Sequence, residues 1–332
     1  MNVTIKDIAR RLDLSYSSIS RALNGKEGVS EETRKKIMEI ADELGYQPNE
    51  LARGLVNKVS KTIGVIIPDI NNPFFGEIVT GIIEAAKENS YDVFLCISNW
   101  DIGDEKEYFS ALMKKRVDGI IVKPAGNESL ESYDRIRTPL MIIERHEKSS
   151  DRNSVEVDNE LGGYMAVRHL LDCGYKKPAV IIGKEDMKAS NRRLAGAERA
   201  LLEAGDTLDS GRVVKGSFSI EGGRAAAKEL FDSRADVDSV FALNDLIGLG
   251  VLQYLSENQV KVPKQVGVIG FDDISYAGLP QIQLTTIRQP KRELGRILCE
   301  TLLTEINGKE GDAPINITLD PELIVRKTTA RK

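Results

Sequence analysis

The sequence predicts an all-α N-terminal domain followed by an α/β core of two doubly wound parallel-sheet lobes. Residues 1–58 show only short helical patterns, whereas from Lys61 onward short apolar strands alternate with amphipathic helices. Continuous apolar strands of this kind belong to parallel sheets that are covered by helices on both faces. The chain of 332 residues also has the length for two or three packing units, because a domain usually takes about 150 residues.

Three short helices are predicted in the N-terminal domain, each beginning at a capping residue. Thr4, with an acid three residues later, starts helix 5–12 in the manner of a capping box. Ser15 caps a second helix that Gly25 ends, and Ser30 caps a third. Two short helices joined by a turn of about three residues have the spacing of a helix-turn-helix. The same pattern is also compatible with a small helical bundle whose outer face is polar.

The second of these helices carries side chains suited to DNA. Ile19 and Leu23 can face the first helix, while the other sides present hydroxyls, Arg21 and Asn24. Arginine can read guanine in the major groove, and small hydroxyls can bond phosphates or base edges. Ten basic and nine acidic side chains in residues 1–58 give the domain almost no net charge, so a positive surface would have to be local. DNA binding is the favoured function of this domain.

The core is predicted to place a polar ligand site at one edge of its sheets. The predicted strands are Ile63–Pro68, Val93–Ser98, Gly119–Val122, Leu140–Ile143, Ala179–Ile182, Ser239–Ala242 and Val266–Gly270, with helices near 75–88, 105–115, 159–173, 191–204, 221–231 and 245–257. Ligands bind such lobes at the carboxyl ends of the strands. The residues that follow the strands there are Asp69, Asn99, Trp100, Lys123, Glu144, Arg145, Asn244, Asp245 and Asp272. Of these, Asp245 is expected to cap the following helix.

Composition excludes several other classes of protein. The 46 basic and 51 acidic residues give a net charge of -5, which excludes a chain that is basic throughout. The longest apolar stretches are a few residues long, whereas a membrane span needs about 20. Charged residues such as Lys6 and Arg10 stand where a signal peptide would have its apolar centre, so a cytoplasmic protein is expected. Three separated cysteines and two histidines predict neither a disulfide framework nor a metal site, and no cofactor is expected.

Sequence motifs in both parts of the chain resemble those of one family of regulators. They are Val3-Thr4-Ile5-Lys6-Asp7-Ile8-Ala9, Ser20-Arg21-Ala22-Leu23-Asn24-Gly25, Leu44-Gly45-Tyr46-Gln47-Pro48-Asn49, Ile63-Gly64-Val65-Ile66-Ile67-Pro68-Asp69, Asn72-Pro73-Phe74-Phe75, Gly270-Phe271-Asp272-Asp273 and Leu284-Thr285-Thr286-Ile287-Arg288-Gln289-Pro290. In this order they resemble the lactose-repressor/galactose-repressor family over essentially the whole chain. One departure is Asp13, where the family usually has Gly. Asp is tolerable there because it can adopt a left-handed conformation.

The resemblance implies a domain plan. Residues 1–57 would form a DNA-binding helix-turn-helix domain that ends in a hinge helix at about 49–57. Residues 61–332 would form an effector-binding and dimerisation core of the type I periplasmic-binding-protein kind. Its N-lobe would comprise about 61–158 plus 291–320, and its C-lobe about 159–289 plus 321–332.

The resemblance also implies which residues contact DNA. Tyr16 and Ser17 fall at the family's main specificity positions. The full implied set is Thr4, Ser15, Tyr16, Ser17, Ser20, Arg21, Asn24, Asn49, Arg53 and Leu55. The hinge is too short to be stable alone, since isolated helices under about 12 residues are marginal. It would fold only on operator DNA beside its dimer mate, with Leu55 as a wedge in the minor groove; from the residues alone it is equally compatible with a plain linker.

In the core, the resemblance implies a cleft in which polar and aromatic side chains contact a small effector. The implied set is Asp69, Phe74, Phe75, Arg145, Arg193, Phe218, Asn244, Asp272 and Gln289. Charged and amide groups around aromatic rings suit a polyol, which needs many hydrogen bonds and an apolar face. Phe75 and Phe218 are also compatible with core packing. Glu144 stands where many members have Asp, which leaves the size of the pocket open.

The predicted function is a dimeric regulator of transcription, a repressor that binds a palindromic operator and responds to a sugar-like effector. Alternatives within this class are a purine-type corepressor or a partner protein; the partner-binding branch has basic residues on a helix that here contains Glu300. A solute receptor with the same core would have a signal peptide and no helix-turn-helix. No Gly-x-Gly-x-x-Gly loop, Walker loop or nucleophile elbow occurs, so an enzyme is not predicted.

Overall fold

A computed structural model describes residues 3–46, 59–126, 133, 136–144, 152–183, 187–233, 236–308 and 313–330. Contacts divide the chain into two compact units, Met1–Ser60 and Lys61–Lys332. The predicted hinge, including Asn49, Arg53 and Leu55, lies outside the described residues, as does Arg145. Among the helices of the described ranges, none is long and apolar enough to cross a membrane.

The first unit contains three helices: α1 (Ile5–Leu12), α2 (Tyr16–Leu23) and α3 (Glu31–Glu43). The predicted caps are confirmed for α2 and α3, because the Ser15 and Ser30 hydroxyls accept the backbone N–H groups three residues on. Ile8, Ile19 and Ile37, one from each helix, form the centre of a small core. The fold of this unit therefore depends on one buried isoleucine per helix.

The start and the end of α1 are both set by aspartates. The Asp7 carboxylate accepts hydrogen bonds from the Thr4 backbone N–H at 2.9 Å and from the Thr4 hydroxyl at 2.6 Å. Asp13 ends the helix with φ 49° and ψ 43°, in the left-handed region. The predicted tolerance of Asp at this turn is thus confirmed. Since α2 starts at Tyr16, the turn between the two helices is as short as predicted.

The second unit is an alternation of strands and helices. Its strands are β1 (Thr62–Ile67), β2 (Asp92–Ile97), β3 (Gly119–Val122), β4 (Leu140–Ile143), β5 (Asn153–Val157), β6 (Pro178–Ile182), β7 (Val213–Lys215), β8 (Ser239–Ala242), β9 (Gly267–Asp272), β10 (Thr285–Arg288), β11 (Asn316–Leu319) and β12 (Glu322–Ile324). Its helices are α4 (Pro73–Glu88), α5 (Ile102–Lys115), α6 (Asn159–Asp172), α7 (Lys188–Glu203), α8 (Ile220–Asp232), α9 (Asp245–Glu257) and α10 (Lys291–Ile306). Every strand and helix predicted from Lys61 onward is present, with ends shifted by at most three residues.

Two six-stranded sheets define two lobes. The N-lobe sheet has the order β11-β5-β4-β3-β1-β2, and the C-lobe sheet has the order β12-β10-β9-β8-β6-β7. All pairings are parallel except β10 with β12, which is an antiparallel edge. The chain therefore passes between the lobes three times: after β5, after β10 and between β11 and β12. The doubly wound parallel class predicted from the sequence is confirmed, with this one edge strand added.

The central strands of each sheet are buried on both faces, as continuous apolar strands require, whereas edge strands such as β2 are partly exposed. In β1, Ile63, Val65 and Ile67 belong to one core cluster of the N-lobe and Ile66 to the opposite one. In β6, the alternating residues likewise divide between two clusters of the C-lobe. Helices on the two sides of each sheet cover these clusters. The carboxyl ends of the strands are left for polar side chains.

Three pairs of helices cross where glycines face each other's backbone. The pairs are α4 with α10 at Gly81 and Gly295, α6 with α7 at Gly163 and Gly196, and α8 with α9 at Gly223 and Gly250. A Cβ atom at any of these positions would lie under 3.0 Å from a backbone oxygen of the facing helix. No side chain fits at so close an approach. Each lobe is thus built on helix pairs whose separation depends on glycine.

Candidate functional site

A cleft lies in the second unit between the two lobes, at the carboxyl ends of the strands. It encloses about 770 Å³ of empty space, the open solvent at its mouth included. Residues of both lobes line it: Asp69, Asn72, Phe74, Phe75, Trp100, Lys123, Ile143, Glu144, Val155, Glu156, Val157, Asn159, Met187, Ala189, Ser190, Arg193, Phe218, Asn244, Asp272, Gln289 and Leu294. The position agrees with the rule that open parallel sheets bind ligands beyond their strand ends.

Four aromatic rings form one wall of the cleft. Trp100 of the N-lobe stacks on Phe218 of the C-lobe, with ring centroids 6.0 Å apart and planes inclined by 25°. Phe75 meets Trp100 edge-on at 6.0 Å, and Phe74 meets Phe75 edge-on at 5.0 Å. Phe75 is buried in the N-lobe core as well, so its two predicted roles, packing and lining, coincide. The stack provides an apolar face that reaches from one lobe to the other.

Asp272 is a buried carboxyl of the cleft with a raised pKa. Burial raises the pKa of Asp272 to about 6, although Arg193, Lys291 and Gln289 all favour its charged form. The Gln289 amide donates to its Oδ1 at 2.6 Å, and Arg193 Nη1 lies 3.7 Å from the same oxygen. A ligand that donates to this carboxylate would compensate the loss of water that burial imposes.

The backbone around Asp272 is held in an unusual conformation. Asp272 has φ 113° and Asp273 has φ 53°, both in the region that residues with a side chain rarely adopt. The buried Lys291 ammonium donates to the carbonyl oxygens of both residues at 2.7 Å. Lys291 begins α10 of the N-lobe, whereas Asp272 ends β9 of the C-lobe and Asp273 follows it. Lys291 therefore supports the turn that presents Asp272 and also connects the lobes.

Arg193 is fixed from several directions. Its Nε donates to Asn159 Oδ1 at 2.8 Å, and its Nη1 donates to the Leu243 carbonyl. The guanidinium carbon lies 3.6 Å from the centroid of the Phe271 ring. A guanidinium held in this way is preorganised, because its orientation does not depend on the ligand.

Two further ion pairs border the cleft. Lys123 pairs with Glu144, both on the N-lobe, and Lys188 of the C-lobe pairs with Glu156 of the N-lobe at 2.9 Å. Burial alone would raise the pKa of Glu144, but the nearby Lys123 charge and hydrogen bond outweigh it and leave the pKa lowered. Glu144 is consequently an anion in the cleft at neutral pH.

Unpartnered polar atoms also point to a ligand. Across the described ranges, three buried side-chain oxygens have no hydrogen-bond partner, and two of them, Glu144 Oε1 and Ser190 Oγ, belong to residues that line the cleft. Buried polar atoms are nearly always satisfied in proteins, because an unmade hydrogen bond costs about 1–3 kcal/mol. These two oxygens belong to opposite lobes, and neither has a partner within the part of the protein that the structure describes.

The prediction that Asp245 caps α9 is wrong. Asn244 is the capping residue, since its Oδ1 accepts the Ile247 backbone N–H at 2.8 Å. Asp245 instead turns inward and accepts hydrogen bonds from the Thr286 hydroxyl and the Ile274 backbone N–H. Burial, together with the charge of Asp272, raises the pKa of Asp245 well above its ordinary value. From the sequence, both residues could cap the helix that follows them. The hydrogen-bond partners in the structure distinguish the two, since Asn244 bonds the helix N-terminus and Asp245 bonds buried groups.

The structure brings eight of the nine predicted effector residues to this one cleft, and the ninth, Arg145, is the one outside the described residues. The cleft is also lined by residues that were not predicted as effector contacts, namely Asn72, Glu156, Asn159, Met187 and Ser190. Glu156 lies inside a strand and not after one, so the rule about strand ends could not find it. Met187 and Ser190 lie at the start of α7, just before Arg193, where the N-terminal end of the helix was predicted too late.

In the first unit, the predicted DNA-contacting residues divide into two groups. Thr4 and Asn24 are engaged in helix ends, Asn24 through a hydrogen bond to the Ser20 carbonyl at 2.7 Å. Ser15 caps α2 and shares a hydrogen bond with Ser17 at 2.8 Å. Tyr16, with 58% of its surface accessible, and Arg21 are exposed on α2. The two side chains therefore have the free surface that contact with DNA requires.

Sequence comparison assigns both units to known families. Residues 4–49 match the family described as bacterial regulatory proteins, lacI family, and residues 60–327 match periplasmic binding proteins and sugar binding domain of LacI family. The chain belongs to the LacI family. It is a transcriptional regulator and not an enzyme.

Individual LacI-family proteins match over nearly full length. The HTH-type transcriptional regulator RegA of Clostridium saccharobutylicum is 35% identical, over 99% of this chain and 100% of that protein. The crystal structure of the lac repressor dimer bound to operator and the anti-inducer ONPF aligns with a TM-score of 0.91 at 25% identity, over 100% of both chains. The complex of the transcriptional regulator CelR with cellobiose aligns at 29% identity with a TM-score of 0.76, over 98% of this chain and 100% of that one.

Proposed function

We propose that this protein is a cytoplasmic repressor that binds a palindromic operator as a homodimer and is controlled by a carbohydrate effector in the interlobe cleft. The cleft carries the proposal: its aromatic wall, its buried Asp272 and Arg193, and its two unpartnered oxygens suit a polyhydroxylated ring. Such a ring presents an apolar face to the aromatic stack and hydroxyls to the polar groups. The relatives supply precedent, since the lac repressor structure contains operator DNA and the CelR structure contains cellobiose.

In this proposal the effector acts by selecting one arrangement of the lobes. The lobes are connected across the cleft by the Trp100–Phe218 stack, the Lys188–Glu156 ion pair and the Lys291 hydrogen bonds. A ligand with different affinity for two lobe arrangements shifts their populations, typically by 1–3 kcal/mol of coupling. Residues 49–57, with Leu55 as the wedge in the minor groove, would then transmit the change to the DNA-binding domain.

A thermal-shift screen of the full-length protein tests the effector class. Neutral mono- and disaccharides, including cellobiose and ribose, are compared with adenine, guanine and hypoxanthine. We expect at least one sugar to raise the melting temperature in a concentration-dependent manner, because a ligand that binds only the folded state stabilises it. Stabilisation by a nucleobase and by no sugar would replace the carbohydrate with a purine-type corepressor.

Arg21 offers a test of operator reading. If the exposed guanidinium contacts a base, we expect Arg21→Ala to cost about 1–3 kcal/mol of discrimination between operator and unrelated DNA. Gel-shift titrations at fixed salt, with operator and with a scrambled duplex, measure this difference. Lys35→Ala is the matched control, since it removes a positive charge from α3 and leaves α2 intact. Equal loss of discrimination in both variants would show that charge, and not base contact, is responsible.

A further inference from the structure

Three ion pairs leave the cleft without a cation that is available to an anionic ligand. Lys123 is paired with Glu144, Lys188 with Glu156, and Arg193 lies 3.7 Å from Asp272. Lys291, the fourth cation at the cleft, is engaged by the Asp272 and Asp273 carbonyls and lies 3.5 Å from Glu77. Throughout the described part of the cleft, each cation therefore already has an oxygen partner.

Among the lining residues, carboxylates outnumber cations. Four carboxylates line the cleft, Asp69, Glu144, Glu156 and Asp272, against two cations among the lining residues, Lys123 and Arg193. One oxygen of Glu144 is buried and has no hydrogen-bond partner, and on the opposite lobe the same holds for the Ser190 hydroxyl. The unfilled positions of the cleft thus include a carboxylate acceptor. They lack an unpaired cation among the side chains that the structure describes.

We propose that the cleft selects uncharged sugars and discriminates against their phosphorylated and carboxylate forms, with Glu144 as the residue that determines this selectivity. The inference rests on the carbohydrate effector proposed above and names its charge class. A neutral ring donates a hydroxyl hydrogen to Glu144 Oε1 and shares another hydrogen bond with Ser190. It leaves all three ion pairs intact.

An anionic sugar could bind in the cleft in two ways, and both carry an unfavourable electrostatic free energy. Placed beside Glu144, it would bring two negative charges together in a site with little water, where like charges repel strongly. To gain a cation among the side chains that the structure describes, it would have to displace a carboxylate from Lys123, Lys188 or Arg193. The displaced carboxylate would then remain buried without its partner, which is strongly unfavourable. Both alternatives weaken binding relative to the neutral sugar.

Matched pairs of sugars test the proposal on the full-length protein. D-ribose is compared with D-ribose 5-phosphate, D-glucose with D-glucose 6-phosphate and D-glucuronate, and D-galactose with D-galacturonate, by thermal shift and by quenching of Trp100 fluorescence. For any matched set in which a sugar binds, we expect the affinity of the anionic form to be at least about tenfold lower than that of the neutral sugar. This difference corresponds to about 1.4 kcal/mol. Equal or tighter binding of an anionic form overturns this inference and leaves the carbohydrate effector standing. If no sugar of either charge binds, the carbohydrate effector itself is refuted.

A substitution identifies the residue responsible. Glu144→Gln keeps the shape of the side chain, removes its negative charge and frees Lys123, so the ratio of neutral to anionic affinity should fall by about tenfold or more. Glu221→Gln, on the exposed start of α8, is the matched control and should leave the ratio unchanged. An unchanged ratio in a folded Glu144→Gln protein would refute the assigned role of Glu144. If that variant does not fold, the wild-type pairs still decide whether the cleft excludes anions.

Discussion

Asp272→Ala is expected to abolish the response to the effector while operator binding persists. The substitution removes the acceptor of the Gln289 hydrogen bond and the carboxylate beside Arg193, both of which are buried. An effector hydroxyl that donates to this carboxylate would lose its buried, charged acceptor, which costs about 2–5 kcal/mol, or roughly thirty-fold to several-thousand-fold in affinity. Calorimetric titration with a sugar that stabilises the wild type measures the affinity. Gel shifts with and without that sugar measure the response of the operator complex.

Asp236→Ala is the control for this experiment, because Asp236 is an exposed residue of the same lobe that does not line the cleft. It should bind the sugar as the wild type does. Wild-type affinity in the Asp272→Ala protein would mean that the effector does not use this carboxylate, and the site would have to be sought elsewhere. Loss of operator binding together with sugar binding would indicate a folding defect, which circular dichroism of the variant detects.

Gly163→Ala is expected to lower the stability of the C-lobe and to weaken effector binding together. A Cβ atom at Gly163 would collide with the backbone oxygen of Arg193 on the facing helix α7. Relief of such overpacking requires α6 and α7 to separate, at a cost of typically 1–3 kcal/mol. Arg193 is the residue that would move, so its hydrogen bond to Asn159 on α6 should be lost as well. Thermal unfolding and sugar titration of the same preparation measure the two effects.

Gly76→Ala provides a matched comparison within the same protein. Gly76 also lies inside a helix, α4, but a Cβ atom there would have nothing within 4 Å. Since alanine loses less backbone entropy on folding than glycine, this substitution should be neutral or stabilising by about 0.4–1 kcal/mol. Similar destabilisation by both substitutions would show that helix propensity, and not the close crossing of helices, governs the response.

Much of the fold was predictable because local chemistry determines it. Ser15 and Ser30 cap their helices as predicted, and Asp13 adopts the left-handed turn. Of the predicted strands, β3 and β4 are apolar throughout and buried at every residue. Strands β5, β7, β10, β11 and β12 were not predicted. They are short, mixed in polarity or at sheet edges. Such segments form strands because they pair with a neighbouring strand, and their own sequence carries little apolar pattern.

The candidate site also contains features that the sequence predicts and features that it does not. Asp69, Glu144 and Asp272 could be placed at the cleft because each lies within two residues of the end of a predicted strand. The pairing of Lys188 with Glu156 could not be predicted, because it joins two lobes and depends on how they approach each other. The unpartnered oxygens of Glu144 and Ser190 were equally out of reach, since satisfaction of a polar atom is a property of the assembled core. The strand-end rule thus locates the cleft but gives neither its charge balance nor its open positions.

The three passages of the chain between the lobes also determine when this core can fold during synthesis. The N-lobe begins at β1 but obtains part of its apolar core, including Leu294, Leu298 and Leu302, from α10. Its edge strand β11 and the C-lobe edge strand β12 come later still. Neither lobe can therefore be completed until nearly the whole chain has left the ribosome. Strands β1 to β5 can pair with one another early, but the face of the N-lobe sheet that α10 covers stays exposed until α10 has been translated. Because exposed apolar surface favours aggregation, we expect this core to depend more on chaperones than two consecutive domains would.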